Sequence, residues 1–224
     1  MQIALEHIEV GGRRPILPTT NLRIETGKVT VQACPTDQAP VVLALIAGGQ
    51  MRPSRGVIRY NGRPARRKLK SRVAIIDAPS ISAPDEYVAL RSTLAEEYTY
   101  VGRVATPARI RRFLDRHDIS EYADWPMIEL PPMVRLIALT EMALLRPGIE
   151  AVVFTTPDRH GGSAHEIYAY GQAVAARGIG VLCITGTTAA EELLREQTDA
   201  SDRIHLAPEP DAQLRPDTGL GAQS

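Results

Sequence analysis

Residues 31–56, VQACPTDQAPVVLALIAGGQMRPSRG, have the outline of a phosphate-binding loop, in which a β-branched strand runs into a short turn-rich segment and then an apolar helix. Such a loop follows the pattern G-x-x-x-x-G-K-[ST]. Its glycines let backbone N–H groups close around the phosphates, its lysine neutralises their charge, and its hydroxyl ligates magnesium. This run instead reads Cys34, Pro35, Thr36, Asp37, Gln38, Ala39, Pro40 and Val41. Pro40 has neither an ammonium group nor a backbone N–H, Val41 cannot ligate a metal, and Asp37 adds an anion where anions should be received. The outline of the loop is retained without the groups that would hold a phosphate.

Other clusters of reactive side chains carry less. In DRHGGSAH, Asp158, His160, Ser163 and His165 share one loop. A nucleophilic triad needs members converging from separate elements, and two histidines five residues apart do not form the H-E-x-x-H pattern, so a polar loop capping the next helix is expected. Glu191 and Glu192, and His117 between Asp115 and Asp118, read as solvated surface, and Trp125 as packing under a loop. Cys34 and Cys183 lie far apart and match no disulfide or zinc spacing, so both read as small buried apolar residues and no metal site is expected. RRKLKSR, Arg66 to Arg72, lacks accompanying aromatic residues or a recognition motif. It reads as a basic turn before a strand, and nucleic acid is not an expected partner.

The elements that must position these residues alternate in type. QIALEHIEV and NLRIE alternate as half-exposed strands, KVTVQA is a β-branched run, and PVVLALIAG is apolar on every side, as a buried helix would be. GVIRYNGR reads as strand and turn, and RVAIID as a buried strand. Helical spacing follows over DEYVALRSTLAEEY, PARIRRFLDRHD and PMVRLIALTEMALL. The strand AVVFTT, the helix AHEIYAYGQAVAARG, the strand GVLCIT and the helix AAEELLREQ then give a β-α-β alternation with the character of a parallel sheet. At 44% hydrophobic and 23% charged residues over 224 positions, the composition is that of a globular domain with a sizeable core. Residues 1–120 hold 19 Lys/Arg against 11 Asp/Glu, and residues 121–224 hold 7 against 15, a contrast that can steer an anionic ligand towards the first part. No run reaches a membrane span, and MQIALEHIEV shows no leader pattern, so a cytoplasmic chain is expected.

In this order, with this punctuation, the chain resembles the nucleotide-binding domain of ATP-binding cassette (ABC) proteins across nearly its whole length. AGGQMRPSRGVIRYNGR is similar to the family's AG…P.SG.v…dG segment. LPPMVRLIALTEMALLRPGIEAVVFTTPDRHGG lines up with the signature helix, Walker B strand and D-loop, and GIGVLCITGTT with the H-loop strand. The resemblance places Thr155 and Thr156 at the Walker B acidic pair, Leu130, Pro131, Pro132, Met133 and Val134 at the LSGGQ signature, and Gly186 at the H-loop histidine. Asp77 and Ala78 stand near the Q-loop glutamine, and the adenine-stacking aromatic expected around residues 10–12 is absent. Threonine cannot replace a carboxylate that orients magnesium or positions water.

The resemblance implies an α/β fold of the P-loop NTPase type, an ABC ATPase domain over residues 1–206. It would have a β-rich N-terminal part, a parallel core sheet and a helical subdomain at about 84–146; the tail at 207–224, with three prolines and few large apolar groups, is expected to be disordered on its composition. It implies a catalytically degenerate cassette subunit without a bound cofactor, a non-hydrolysing partner or regulator of a membrane transport complex at the inner face of the membrane. Its partners would be a membrane-spanning subunit or an intact ABC ATPase, in a homo- or heterodimer. Docking is expected on the helical segment from Asp85 to Arg116, through part of the set Tyr87, Val88, Leu90, Leu94, Tyr98 and Val101, the rest of which an ordinary amphipathic helix would bury. Two other readings stay open: a cassette that still binds ATP and magnesium through an unorthodox loop, and a soluble interaction scaffold. An α/β domain unrelated to the family is the competing account of the fold.

Overall fold

The computed structural model describes residues 1–35, 38–196 and 203–205; Thr36, Asp37 and the expected tail at 207–224 lie outside the described residues. Among the described residues the strands form two sheets. The first is antiparallel, in the order β2 (Pro15–Glu25), β1 (Gln2–Gly11), β4 (Arg55–Tyr60) and β5 (Arg63–Pro64). The second is parallel, in the order β6 (Val73–Ile76), β7 (Ala151–Thr155), β8 (Gly180–Thr185), β3 (Val29–Ala33) and β9 (Arg203–His205). Every residue of β3, β6, β7 and β8 is buried, as a parallel sheet covered on both faces requires.

Strand β1 shows how local geometry serves this packing. Ile3 and Leu5 point into the core, and so do Ile8 and Val10, although their positions differ in parity. A register shift between Leu5 and Ile8, with His7 at φ 52°, supplies the extra residue that changes the face. Gly56 of β4 lies against this bulge, where a Cβ would come within 2.4 Å of the His7 carbonyl oxygen. At the other end of β4, Asn61 and Gly62 adopt φ 49° and 76° and return the chain as a two-residue hairpin.

Helix α1 (Ala39–Ala47) is sandwiched between the two sheets, which explains why its sequence is apolar on all sides. The basic run forms one short turn, α2 (Arg66–Leu69), before β6. Helices α5 (Pro132–Ala143), α6 (Ala164–Ala175) and α7 (Thr187–Glu196) contribute to the core on the far face of the parallel sheet. A third buried cluster gathers α3 (Leu90–Tyr100), α4 (Pro107–Arg116) and the near side of α5. Helix α4 begins at Thr106, whose hydroxyl accepts the Arg109 N–H at 3.3 Å, with Pro107 at the first helical position.

Several expectations for this helical part are corrected. The helix expected from Asp85 begins at Leu90, because residues 86–88 form a turn and bend and Ala89 bridges to Pro126. The Met127 N–H donates to the Val88 carbonyl at 3.0 Å and the Ile128 N–H to the Glu86 carbonyl at 2.9 Å. Leu90, Leu94 and Tyr98 are core residues, leaving Tyr87, at 82% exposure, as the open member of the proposed docking set. Trp125 is 43% exposed, its ring edge-on to Tyr122. His117 is half-buried against the Phe113 ring and Glu141 and is not a solvated residue.

Candidate functional site

The carboxyl ends of β3, β6, β7 and β8 bring Cys34, Asp77, Thr155, Thr156 and Gly186 to one edge of the parallel sheet, where α/β folds place ligands. Backbone bonds hold this edge together. The Cys34 N–H donates to the Thr185 carbonyl at 2.9 Å, and the Thr156 N–H to that of Ile184 at 2.8 Å. The Gly186 N–H donates to Asp158 Oδ2 at 3.2 Å.

Among the described residues, those of the loop segment that are buried are apolar. Cys34 and Ala39 are buried, and burial pushes the Cys34 thiol up to about 12, so it stays neutral. Gln38, at the N-cap of α1, makes no side-chain cap, and Pro40 removes one of the free first-turn N–H groups. Thr155 is 1% exposed and its hydroxyl has no hydrogen-bond partner among the described residues. Thr156 sits in the left-handed region at φ 46°, a strained conformation for a β-branched residue.

The ionic part lies beside it. Asp77, at the end of β6 with φ 55°, receives Arg135 in a two-pronged contact, from Nε to Oδ2 and from Nη2 to Oδ1, both at 2.9 Å. Arg135, on α5, is only 2% exposed, and its third contact is from Nη1 to the Met127 carbonyl at 2.8 Å. The loop after β7 closes the group. Arg159 reaches the Asp77 carbonyl at 2.6 Å and Oδ1 at 3.0 Å, and His160 Nε2 lies 3.1 Å from Oδ2. Burial pushes the Asp77 carboxyl up, but the hydrogen bonds from His160 and Arg135 and the charges of Arg135 and Arg159 outweigh it and hold the group at about 2.

This group corrects the reading of DRHGGSAH as a helix-capping loop. Ser163, the N-cap of α6, makes no side-chain cap, while Arg159 and His160 reach back to β6 and Asp158 reaches Gly186. Arg135 was not singled out in the sequence. An arginine early in the largely apolar PMVRLIALTEMALL, next to Leu136 and Ile137, was the available signal that a buried anion awaited it.

The residues at the expected signature start α5. Pro131 is its N-cap and Pro132 its first residue, so two N–H groups that would open towards an anion at this helix end are missing. Leu130 is buried with the helical cluster, Val134 packs on that cluster and Met133 on the core beneath the sheet. Pro132 also faces the loop after β7, since a Cβ on Gly162 would lie 3.2 Å from it. Where Asp77, Pro132, Arg135, Thr155 and His160 converge, the enclosed space is about 10 Å³, room for no more than one water molecule.

Comparison with solved structures identifies the fold. The chain has the fold of an ABC transporter ATP-binding cassette domain, within the P-loop NTPase class. It superposes on a putative ABC transporter ATP-binding protein from Pyrococcus furiosus with a TM-score of 0.62 at 16% identity, covering 92% of this chain and 98% of that one. A nucleotide-free ATP-binding cassette from an ABC transporter gives 0.65 at 15% identity, covering 92% and 88%. The cbiO1 protein of Clostridium perfringens, described as part of the ABC transporter complex cbiONQ, gives 0.58 at 17%, covering 82% and 78%. No protein-family pattern matches the sequence, and no curated protein matches it. Identities at this level relate the chains by fold.

Proposed function

We propose that the chain is a non-hydrolysing cassette subunit that docks on a membrane-spanning transport partner. The observation that carries the first half is the closed space beside Thr155. A working site would need a metal-orienting carboxylate and room for a phosphate and its attacking water, whereas about 10 Å³ remains and the carboxylate lining that space, Asp77, is engaged by two arginines and a histidine. Pro40, Val41 and Thr155 do not fit a magnesium–triphosphate group, and no chemical step is assigned to one.

The docking half is supported by where apolar surface is left open. Six of the eight large hydrophobic residues exposed among the described ones, Ile81, Tyr87, Tyr100, Val104, Trp125 and Ile128, lie between positions 81 and 128. Ile81 and Tyr100 line a groove of about 440 Å³ that runs between the end of β6, α3 and α5, with Leu139 and Met142 at its base. Grouped apolar exposure of this kind marks a contact surface. The solved structures of the same fold come from ABC transporters, and among the described residues no helix is long and apolar enough to cross a membrane. A separate membrane-spanning subunit is therefore the partner that fits.

Two measurements test this reading. Purified protein is expected to show no ATP hydrolysis above background, and Ala39→Gly/Pro40→Lys/Val41→Ser, which rebuilds the loop, is expected not to restore it. Ready turnover by the triple variant would overturn the non-hydrolysing assignment. Tyr100→Asp, at a position 78% exposed, is expected to change stability by less than about 0.5 kcal/mol while abolishing co-purification of a multi-span protein from a detergent extract. Undiminished co-purification by well-folded Tyr100→Asp and Ile81→Asp variants would remove the groove as the interface.

A further inference from the structure

Away from the sheet edge, five arginines from three separate segments surround one depression of about 340 Å³. Arg103 comes from the turn after α3, Arg109, Arg112 and Arg116 from one face of α4, and Arg177 from the turn after α6. Among the described residues, Glu141 is the only carboxylate lining this depression. It is already engaged, accepting both terminal nitrogens of Arg177 and the Tyr170 hydroxyl. Asp115, next in sequence to Arg116, accepts from Ser120. Among the described residues no carboxylate lies within 4.0 Å of the guanidinium of Arg103, Arg112 or Arg116.

This arrangement works against the helix that carries it. Arginines three and four apart on one helix face repel, and Arg109 stands in the first turn of α4, where the helix dipole disfavours a cation and no acidic residue offsets it. Two of the five are nonetheless fixed in place. The Arg109 guanidinium lies 5.8 Å from the Tyr98 ring centroid and donates to the Val104 carbonyl, and Arg177 is held by Glu141. Three cations without carboxylate partners beside two anchored ones, over a floor that includes Phe113 and Leu144, form a prearranged receptor for a compact anion of several charges. Guanidinium groups match phosphoryl oxygens in geometry as well as charge. The volume is at the small end of ligand pockets and suits a di- or triphosphate-sized group.

We propose that this depression binds a multiply charged phosphoryl group, carried by a soluble compound or by a lipid headgroup, and so bridges α4 to the α5–α6 side of the core.

The test is titration of the full chain with tripolyphosphate at low salt, followed by calorimetry. Wild-type protein is expected to bind in the micromolar range, with affinity falling as salt is raised. Arg112→Gln/Arg116→Gln is expected to weaken binding tenfold or more, while Arg63→Gln/Arg67→Gln, in the other basic region, leaves it within twofold. Arg112 and Arg116 are exposed, so the double variant should keep the wild-type unfolding midpoint without ligand. If it does not, Arg103→Gln alone serves instead, with a weakening of about threefold expected from removal of one contact. Vesicles of phosphatidic acid in phosphatidylcholine, whose headgroup is a phosphomonoester of up to two charges, distinguish the source. Sedimentation with them that is lost in the double variant and competed by tripolyphosphate assigns a headgroup, and tripolyphosphate binding without sedimentation assigns a soluble phosphoryl compound. Binding weaker than millimolar with no sedimentation, or binding indifferent to Arg112 and Arg116, overturns the proposal.

Discussion

Two neighbouring parts of the same sheet edge are built in opposite ways. The described residues Cys34, Ala39, Pro40 and Thr155 give the edge a neutral, buried lining, down to a hydroxyl with no partner among the described residues. A few residues away, one carboxylate is met by two guanidinium groups and an imidazole. Buried charge is costly unless it is paired and hydrogen-bonded. Here the charges satisfy one another across β6, α5 and the loop after β7, and the polar capacity of the edge is directed inward at the protein itself. The comparison teaches that the ionic part ties the parallel sheet to the helical part, while the groove beside α3 and the arginine-lined depression are open to solvent.

Breaking the ionic part should have the largest effect. Arg135→Met leaves Asp77 without its two-pronged partner in a buried site, and a loss of about 3–5 kcal/mol is expected in chemical denaturation. Asp77→Asn/Arg135→Met should recover much of that loss, because asparagine tolerates the left-handed backbone at φ 55° and removes the stranded charge. A double variant as unstable as the single one would show that the pair matters for packing and not for charge.

Acid should act on the same group with a smaller effect. Asp77 is held at about 2, below its ordinary 3.8, so its contribution is present above pH 3.8 and is lost as pH falls through the folded value. The shift corresponds to about 2 kcal/mol. Denaturation midpoints measured from pH 5 down to 2 should show this decline, and Asp77→Asn should flatten it.

The apolar part should give the smallest effect, with the opposite sign. Thr155→Val replaces an unpartnered buried hydroxyl by a methyl group of nearly the same shape, and a gain of about 1 kcal/mol is expected in the same denaturation measurement. A loss of stability would mean that the hydroxyl has a partner after all, and the contrast between the two parts would weaken.

Much of this molecule was legible in its residue pattern. Period-two alternation marked β1 and β2, the all-apolar run marked α1 as buried, and the alternation after Pro132 marked a parallel sheet, because burial on one face or two leaves different signatures along the chain. The same pattern placed the ends of β3, β7 and β8, and with them most residues of the candidate site. What it could not mark was any feature that depends on distant partners. The bulge at His7 is set by the strands that flank it, and the turn and bridge before Leu90 by bonds to residues 123–128. The solvent-facing appearance of DRHGGSAH concealed its bonds to Asp77, which lies 82 and 83 residues earlier.

The order of strands and helices, the buried or open faces of the regular elements and the loss of phosphate-binding groups from the loop were decided by the sequence alone, since periodicity and side-chain chemistry are local properties. Which charges meet was decided only by the tertiary structure. Arg135 and Asp77 stand 58 residues apart, and the arginines of the depression span residues 103–177. Electrostatic energy depends on separation in space and on exclusion of water, and packing sets both.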